Sequence, residues 1–165
     1  MLIYHPAFDA YHCLIRMCAI LMRLPKIERD RLRVLDFLLC FPTYVVNFKL
    51  PKEVAFIRSQ ARTLENPYRA AISAKRVFAD LEVIQDASVA CLVAGGLVRE
   101  NSDDEVLLWI NGALSQELTD RCKRIETEET FFFNAILSSV GQLPLKGPDG
   151  LKARSGLVEY RYDLA

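Results

Sequence analysis

Apolar positions along this chain recur mostly at helical spacing. Tyr11, Leu14, Ile15, Cys18, Leu21 and Met22 follow one another at three and four residues behind Asp9, a natural N-cap. Cys13, Met17, Ile20 and Leu24 carry the apolar surface round to further faces, so the helix is central in its domain or covered by a partner on its second face. Pro25 ends it. The charged stretch Lys26 to Arg31 opens a second helix, with Leu32, Leu35, Phe37, Leu38, Leu39 and Phe41 in its body and Pro42 closing it. Leu50-Pro51 opens a short amphipathic helix through Val54, Ile57 and Ala61, and Asn66-Pro67 is a cap-plus-first-turn signature for another start.

From Ser73 the pattern predicts two helices, about 74–81 and 83–94, closed by Gly95-Gly96 as a C-cap. Leu97-Val98, a polar turn from Glu100 to Asp104, and the run Val106 to Ile110, ending at Asn111-Gly112, read as two short strands around a turn. Such a hairpin directly after a helix resembles the wing of a winged helix-turn-helix. Ser115 caps a long helix with its body from about Gln116 to Val140, and Glu117 suits its first turn. The expected fold is mainly α with a small β element, a helical domain with winged helix-turn-helix character and a C-terminal loop-strand. It reads as a single domain over 1–165: a helical core over 1–114 with the candidate wing at 97–110, then the long helix, loop and strand over 115–165.

The C-terminal run Leu143 to Asp163 has Pro144, turns at Gly147-Pro148-Asp149-Gly150 and Ser155-Gly156, the cations Lys146, Lys152 and Arg154, and then strand-like alternation through Tyr160, Arg161 and Tyr162. Two readings are open: a strand completing the protein's own sheet, or a basic loop and strand presented to a partner. In the second, Lys152, Arg154, Tyr160, Arg161 and Tyr162 are the contact residues, because aromatics and arginine anchor interfaces. Asp36 is the only acid between Val34 and Val46. It is either a rim acid paired with Arg29 or Arg33, or a structural anchor held by a distant cation such as Arg154, since buried carboxylates require partners.

Composition narrows the function classes. Hydrophobic residues make up 52% of the 165 and charged residues 25%, which describes a globular chain and excludes disorder. Twenty-one basic and 21 acidic residues cancel, which argues against autonomous DNA binding and towards a subunit that buries surface against other proteins. The five cysteines lack close pairing and sit mostly in apolar runs, as reduced thiols of a cytoplasmic protein do. Arg16 and Arg23 interrupt the apolar N-terminal stretch, which is too short for a membrane span and is followed by no signal-peptide cleavage pattern.

Candidate chemistry is thin. His12 beside Cys13 or near Cys18 fails as a catalytic pair because neighbouring helical residues face different ways. Gly147-Pro148-Asp149-Gly150-Leu151-Lys152 lacks the ending and the strand-to-helix context of a phosphate-binding loop. Asp103-Asp104 and Glu128-Glu129 read as solvated charge. No metal, cofactor or catalytic set is expected.

Three stretches resemble a known family: Tyr4-His5-Pro6-Ala7-Phe8-Asp9-Ala10-Tyr11-His12, then Asp30-Arg31-Leu32-Arg33-Val34-Leu35-Asp36-Phe37, and Gly150-Leu151-Lys152-Ala153-Arg154-Ser155-Gly156-Leu157-Val158-Glu159-Tyr160-Arg161-Tyr162-Asp163. They are similar to the small middle components of ABC-three-component systems, bacterial antiviral or anti-plasmid operons akin to Lamassu. The resemblance implies a non-catalytic adapter with helix-turn-helix character, in complex with an SMC-like ATPase and an effector, often a nuclease. A winged-helix transcriptional regulator is the alternative. The acidic wing tip (Glu100, Asp103, Asp104, Glu105) counts against it, as does a candidate recognition helix that offers only Gln85, Asp86 and Ser88.

Overall fold

A computed structural model describes residues 5–64, 73–101, 103–110, 114–128 and 130–159. The fold is mainly helical with one small sheet, as the periodicity predicts. Helix α1 (Ala10–Arg23) is the central element, buried through Cys13, Ile15, Met17, Cys18, Ala19, Ile20 and Leu21. Asp9 caps it by accepting a hydrogen bond from the His12 N–H at 2.9 Å. Around it pack α2 (Arg29–Cys40), α4 (Ala74–Ala94) and α5 (Gln116–Glu128). The short α3 (Ile57–Thr63) lies against α6 (Thr130–Ser138) and the 3₁₀ turn Pro42–Asn47. The second face of α1 is therefore covered from within the chain.

Three sequence expectations change. Lys26–Glu28 is not the start of the second helix but a strand, β1, with Ile27 buried between two more exposed charged residues. The expected pair of helices at 74–81 and 83–94 is one 21-residue helix, α4; Leu81, Gln85, Ser88, Val89 and Leu92 keep a single buried stripe in register through it. Helix is described over Gln116–Glu128 (α5) and Thr130–Ser138 (α6), where a long helix from Gln116 is expected. Its apolar stripe (Leu118, Cys122, Ile125, then Phe132, Phe133, Ile136) keeps helical spacing through both segments. Lys152 and Arg154 stand not on a loop but on a short helix, α7 (Leu151–Ser155), closed by Gly156 at φ 65°.

The expected hairpin forms as β2 (Val98–Asn101) and β3 (Val106–Trp109). It joins β1 in an antiparallel sheet of order β1-β3-β2, with Ile27 opposite Leu107 and Glu100 opposite Leu107 from the other side. Gly96 makes this possible at φ 71°: its N–H and that of Leu97 return to the carbonyls of Val93 and Leu92, ending α4 and aiming the chain into β2. The Asn66-Pro67 start, the Asn111-Gly112 turn and the segment from Tyr160 to Tyr162 lie outside the described residues; Leu157 to Glu159 are not in a strand.

Candidate interaction surface and its internal supports

Three helices meet on one buried polar network. Asp36 of α2 is fully out of solvent and accepts from Arg16 Nε of α1 at 2.7 Å and from Gln85 Nε2 of α4 at 2.9 Å. Cys13 Sγ approaches the same carboxylate at 3.8 Å, and Arg16 also donates to the Pro6 carbonyl. Gln85 Oε1 accepts from Arg33 Nε at 3.1 Å, and the Arg33 guanidinium lies over the Phe78 ring at 4.9 Å. Burial opposes the Arg16 charge, but the Asp36 carboxylate and its hydrogen bond more than offset this and hold the guanidinium above its ordinary value. Burial, reinforced by Asp36, pushes the Cys13 thiol up to about 12, so this cysteine is an inert core thiol. His12, the preceding residue, is exposed. The cation facing Asp36 is Arg16, the residue that interrupts an otherwise apolar helix; neither Arg33 nor Arg154 reaches the carboxylate. Gln85, which the sequence offers as a base-reading side chain of the candidate recognition helix, is fully buried and faces this network instead.

A second set of polar contacts ties the C-terminal segment to the start of α2. Lys152 Nζ meets Asp30 Oδ2 at 2.8 Å, with 9% and 18% of the two side chains exposed. Arg31 donates to the carbonyls of Gly141 and Leu143 and grips Glu28 at 2.7 and 3.2 Å. That grip, set against partial burial, holds the Glu28 carboxyl below its ordinary value. Arg154 donates to Asp149 and to the Lys49 carbonyl, while the Lys49 N–H returns to the Arg154 carbonyl at 3.1 Å. Gly150 is obligatory here: a Cβ would come within 2.3 Å of the Lys146 carbonyl oxygen. Among the predicted contact residues, then, the structure brings Lys152 and Arg154 together on α7 and turns both charges inward. Tyr160, Arg161 and Tyr162 follow beyond the described residues.

An open cleft of about 710 Å³ runs between the hairpin turn, the start of α2 and the C-terminal segment. Asp103, Asp104 and Glu105 rim it on one side and Lys146 on the other. Among the described residues no His, Cys, Asp and Glu cluster could hold a metal, and no helix is long and apolar enough to cross a membrane.

The outer surface carries apolar groups instead. Phe131 at the start of α6 is 68% exposed and Val83 on α4 is 78% exposed. The side of α4 opposite its buried stripe presents Ala79, Val83, Ala87, Ala90 and Ala94, all exposed.

No curated protein and no solved structure matches the chain. A family model does, over residues 2–163, and its description is ABC-three component (ABC-3C) system Middle Component 5. With the match spanning nearly the whole chain, this protein belongs to the middle-component 5 family of ABC-three-component systems.

Proposed function

We propose that the chain is a non-catalytic adapter that bridges an SMC-like ABC ATPase and an effector, often a nuclease, in a cytoplasmic antiviral or anti-plasmid complex of the Lamassu kind. Engagement of foreign DNA by the ATPase would change the contact through which the adapter holds the effector.

The observation that carries this reading is the outward face of α4. In a winged helix the helix before the hairpin is the one placed to read DNA, and α4 is the helix that precedes the hairpin here. Base reading needs amides, guanidiniums or carboxylates aimed outward. Here Lys75 and Arg76 stand in the first turn, but beyond it that face offers alanine and valine, on a chain whose net charge is zero. Such a surface suits protein contact and supports the adapter over a regulator that binds operator DNA.

Within this reading the segment Tyr160, Arg161 and Tyr162 supplies partner contacts. Lys152 and Arg154 act by fixing the chain that leads to it, through Asp30, Asp149 and Lys49. The test is affinity purification of the tagged chain co-expressed with the ATPase and effector encoded beside it. Joint recovery, lost on Y160A/R161E/Y162A with unchanged circular dichroism, is the expected result. A lone chain that ignores both neighbours, yet binds a specific duplex at about 10⁻⁸ M or tighter, overturns the adapter in favour of the regulator.

A further inference from the structure

Every residue of β3 is apolar. Val106, Leu107, Leu108 and Trp109 are followed by Ile110, whose N–H continues the ladder to the Leu97 carbonyl at 2.8 Å. A strand with one face in water alternates apolar and polar residues, and a strand apolar on both sides is one covered on both. Only one side of β3 is covered. Leu107 is buried, as are Ile27 and Val98 on the same face, while Leu108 and Ile110 on the opposite face are 36% and 37% exposed.

The register sets Lys26 of β1 and Arg99 of β2 on either side of Leu108, and both are exposed. With strands about 4.8 Å apart, their backbones are about 10 Å from each other. The acids of this sheet are held by cations of the fold, Glu28 by Arg31 and Glu100 by Arg29. Its cations are not held in return: neither Lys26 nor Arg99 has a hydrogen bond or salt bridge to a described residue.

We propose that this outer face of the sheet seats one amphipathic helix of a partner subunit, lying along β3, with acidic residues on both sides of its apolar stripe. A helix with its side chains is about 10–12 Å across, so a single one covers the three strands and brings its flanks to Lys26 and Arg99. Its stripe meets Val106, Leu108 and Ile110. The turn acids Asp103, Asp104 and Glu105 lie beyond the Val106 end of the strand and set the direction, because the positive N-terminal end of a helix belongs beside them. A nucleic acid would satisfy the two cations but lay phosphates over the apolar column and the turn acids. Sheet-on-sheet stacking with a second copy does not meet both needs. With Leu108 over Leu108 the cations oppose one another, and a shift that brings acids to them carries Ile110 over the acidic turn. The inference rests on the adapter reading, since the helix belongs to a subunit of the same system.

The test places the photocross-linker p-benzoylphenylalanine at position 108, an exposed site, in the full chain co-expressed with the ATPase and effector encoded beside it. A cross-link is expected to a helical segment of one neighbour that carries Asp or Glu on both sides of its apolar stripe. K26E/R99E should weaken the complex about tenfold at low salt with unchanged circular dichroism, the difference fading by about 1 M salt. Lysine in place of the mapped acids should restore binding to K26E/R99E. A complex that forms with full affinity in K26E/R99E, or that gives no cross-link from position 108, overturns the inference and leaves the adapter reading standing. So does a cross-link to a second copy of this chain, to DNA, or to a segment without those acids. A chain that recovers neither neighbour overturns the adapter reading and this inference with it.

Discussion

Arg16 and Asp36 meet at 2.7 Å between α1 and α2, Asp36 wholly out of solvent and Arg16 nearly so. The pair joins the central helix to α2, and Gln85 extends it to α4. Burying two charges is itself costly, so such a pair adds less to stability than its geometry suggests, but removing one partner strands the other. R16M should therefore lose about 3–5 kcal/mol in urea unfolding, because the Asp36 carboxylate stays buried without its cation. R16M/D36L should recover most of that loss. A single variant within about 0.5 kcal/mol of the parent would show the network to be incidental.

The Lys152–Asp30 pair leads to a sharper statement about the C-terminal segment. Lys152 is 8% exposed and lies 2.8 Å from Asp30, so K152E places two carboxylates against each other in a largely dry setting. The expected cost is about 3 kcal/mol or more, read as a lowered unfolding midpoint. Lys146, exposed at the rim of the same cleft, is the control: K146E should stay within about 0.5 kcal/mol. Equal effects at the two positions would refute an inward role for Lys152. Charge reversal at Lys152 is for this reason a poor probe of partner contact, and changes at Tyr160 to Tyr162 are better ones.

Thiol chemistry should separate one cysteine from four. Cys13, Cys18, Cys40 and Cys122 are buried, and Cys122 of α5 donates its thiol to the Ile15 carbonyl of α1 at 3.7 Å. Cys91 alone is exposed. In dilute native protein an aromatic disulfide reagent should titrate one thiol quickly and the rest only on unfolding. C91S should abolish the fast phase. A second fast thiol in that variant would mean that the core opens more readily than its packing implies.

Much of the fold was legible because its punctuation is local. Asp9, Ser115, Pro25 and the Gly95-Gly96 pair act through their own backbone geometry, and each stands where an element begins or ends. What was hidden depended on tertiary partners. β1 is three residues long, and only the pairing of Ile27 with Leu107 makes it a strand. Asp36 was visible as a solitary acid, but its partner lies twenty residues upstream on another helix. The inward turn of Lys152 and Arg154 could not be read from a segment that looks basic in one dimension, because Asp30 and Lys49, which receive them, are more than a hundred residues away.

Glu28 sets an acid limit on the hold over the C-terminal segment. Its carboxylate accepts Arg31 Nε at 2.7 Å, and Arg31 in turn donates to the carbonyls of Gly141 and Leu143. The Arg31 hydrogen bond keeps the folded pKa of Glu28 below its ordinary value, against a smaller opposing effect of burial. In the unfolded chain the group titrates near 4.3, as a free glutamate does. Between those two values the unfolded state binds more protons than the folded one, so stability rises with pH across that window. The contribution is complete above about pH 4.3 and disappears as pH falls through the folded value. E28Q should flatten the dependence of unfolding free energy on pH below about 5 and leave its shape near neutrality unchanged. Amide exchange at Leu157, whose segment hangs on these contacts, should quicken in the parent on acidification and already be fast in E28Q at neutral pH. If the acid slopes of the two proteins coincide, the Glu28–Arg31 contact adds nothing to the acid stability of the fold.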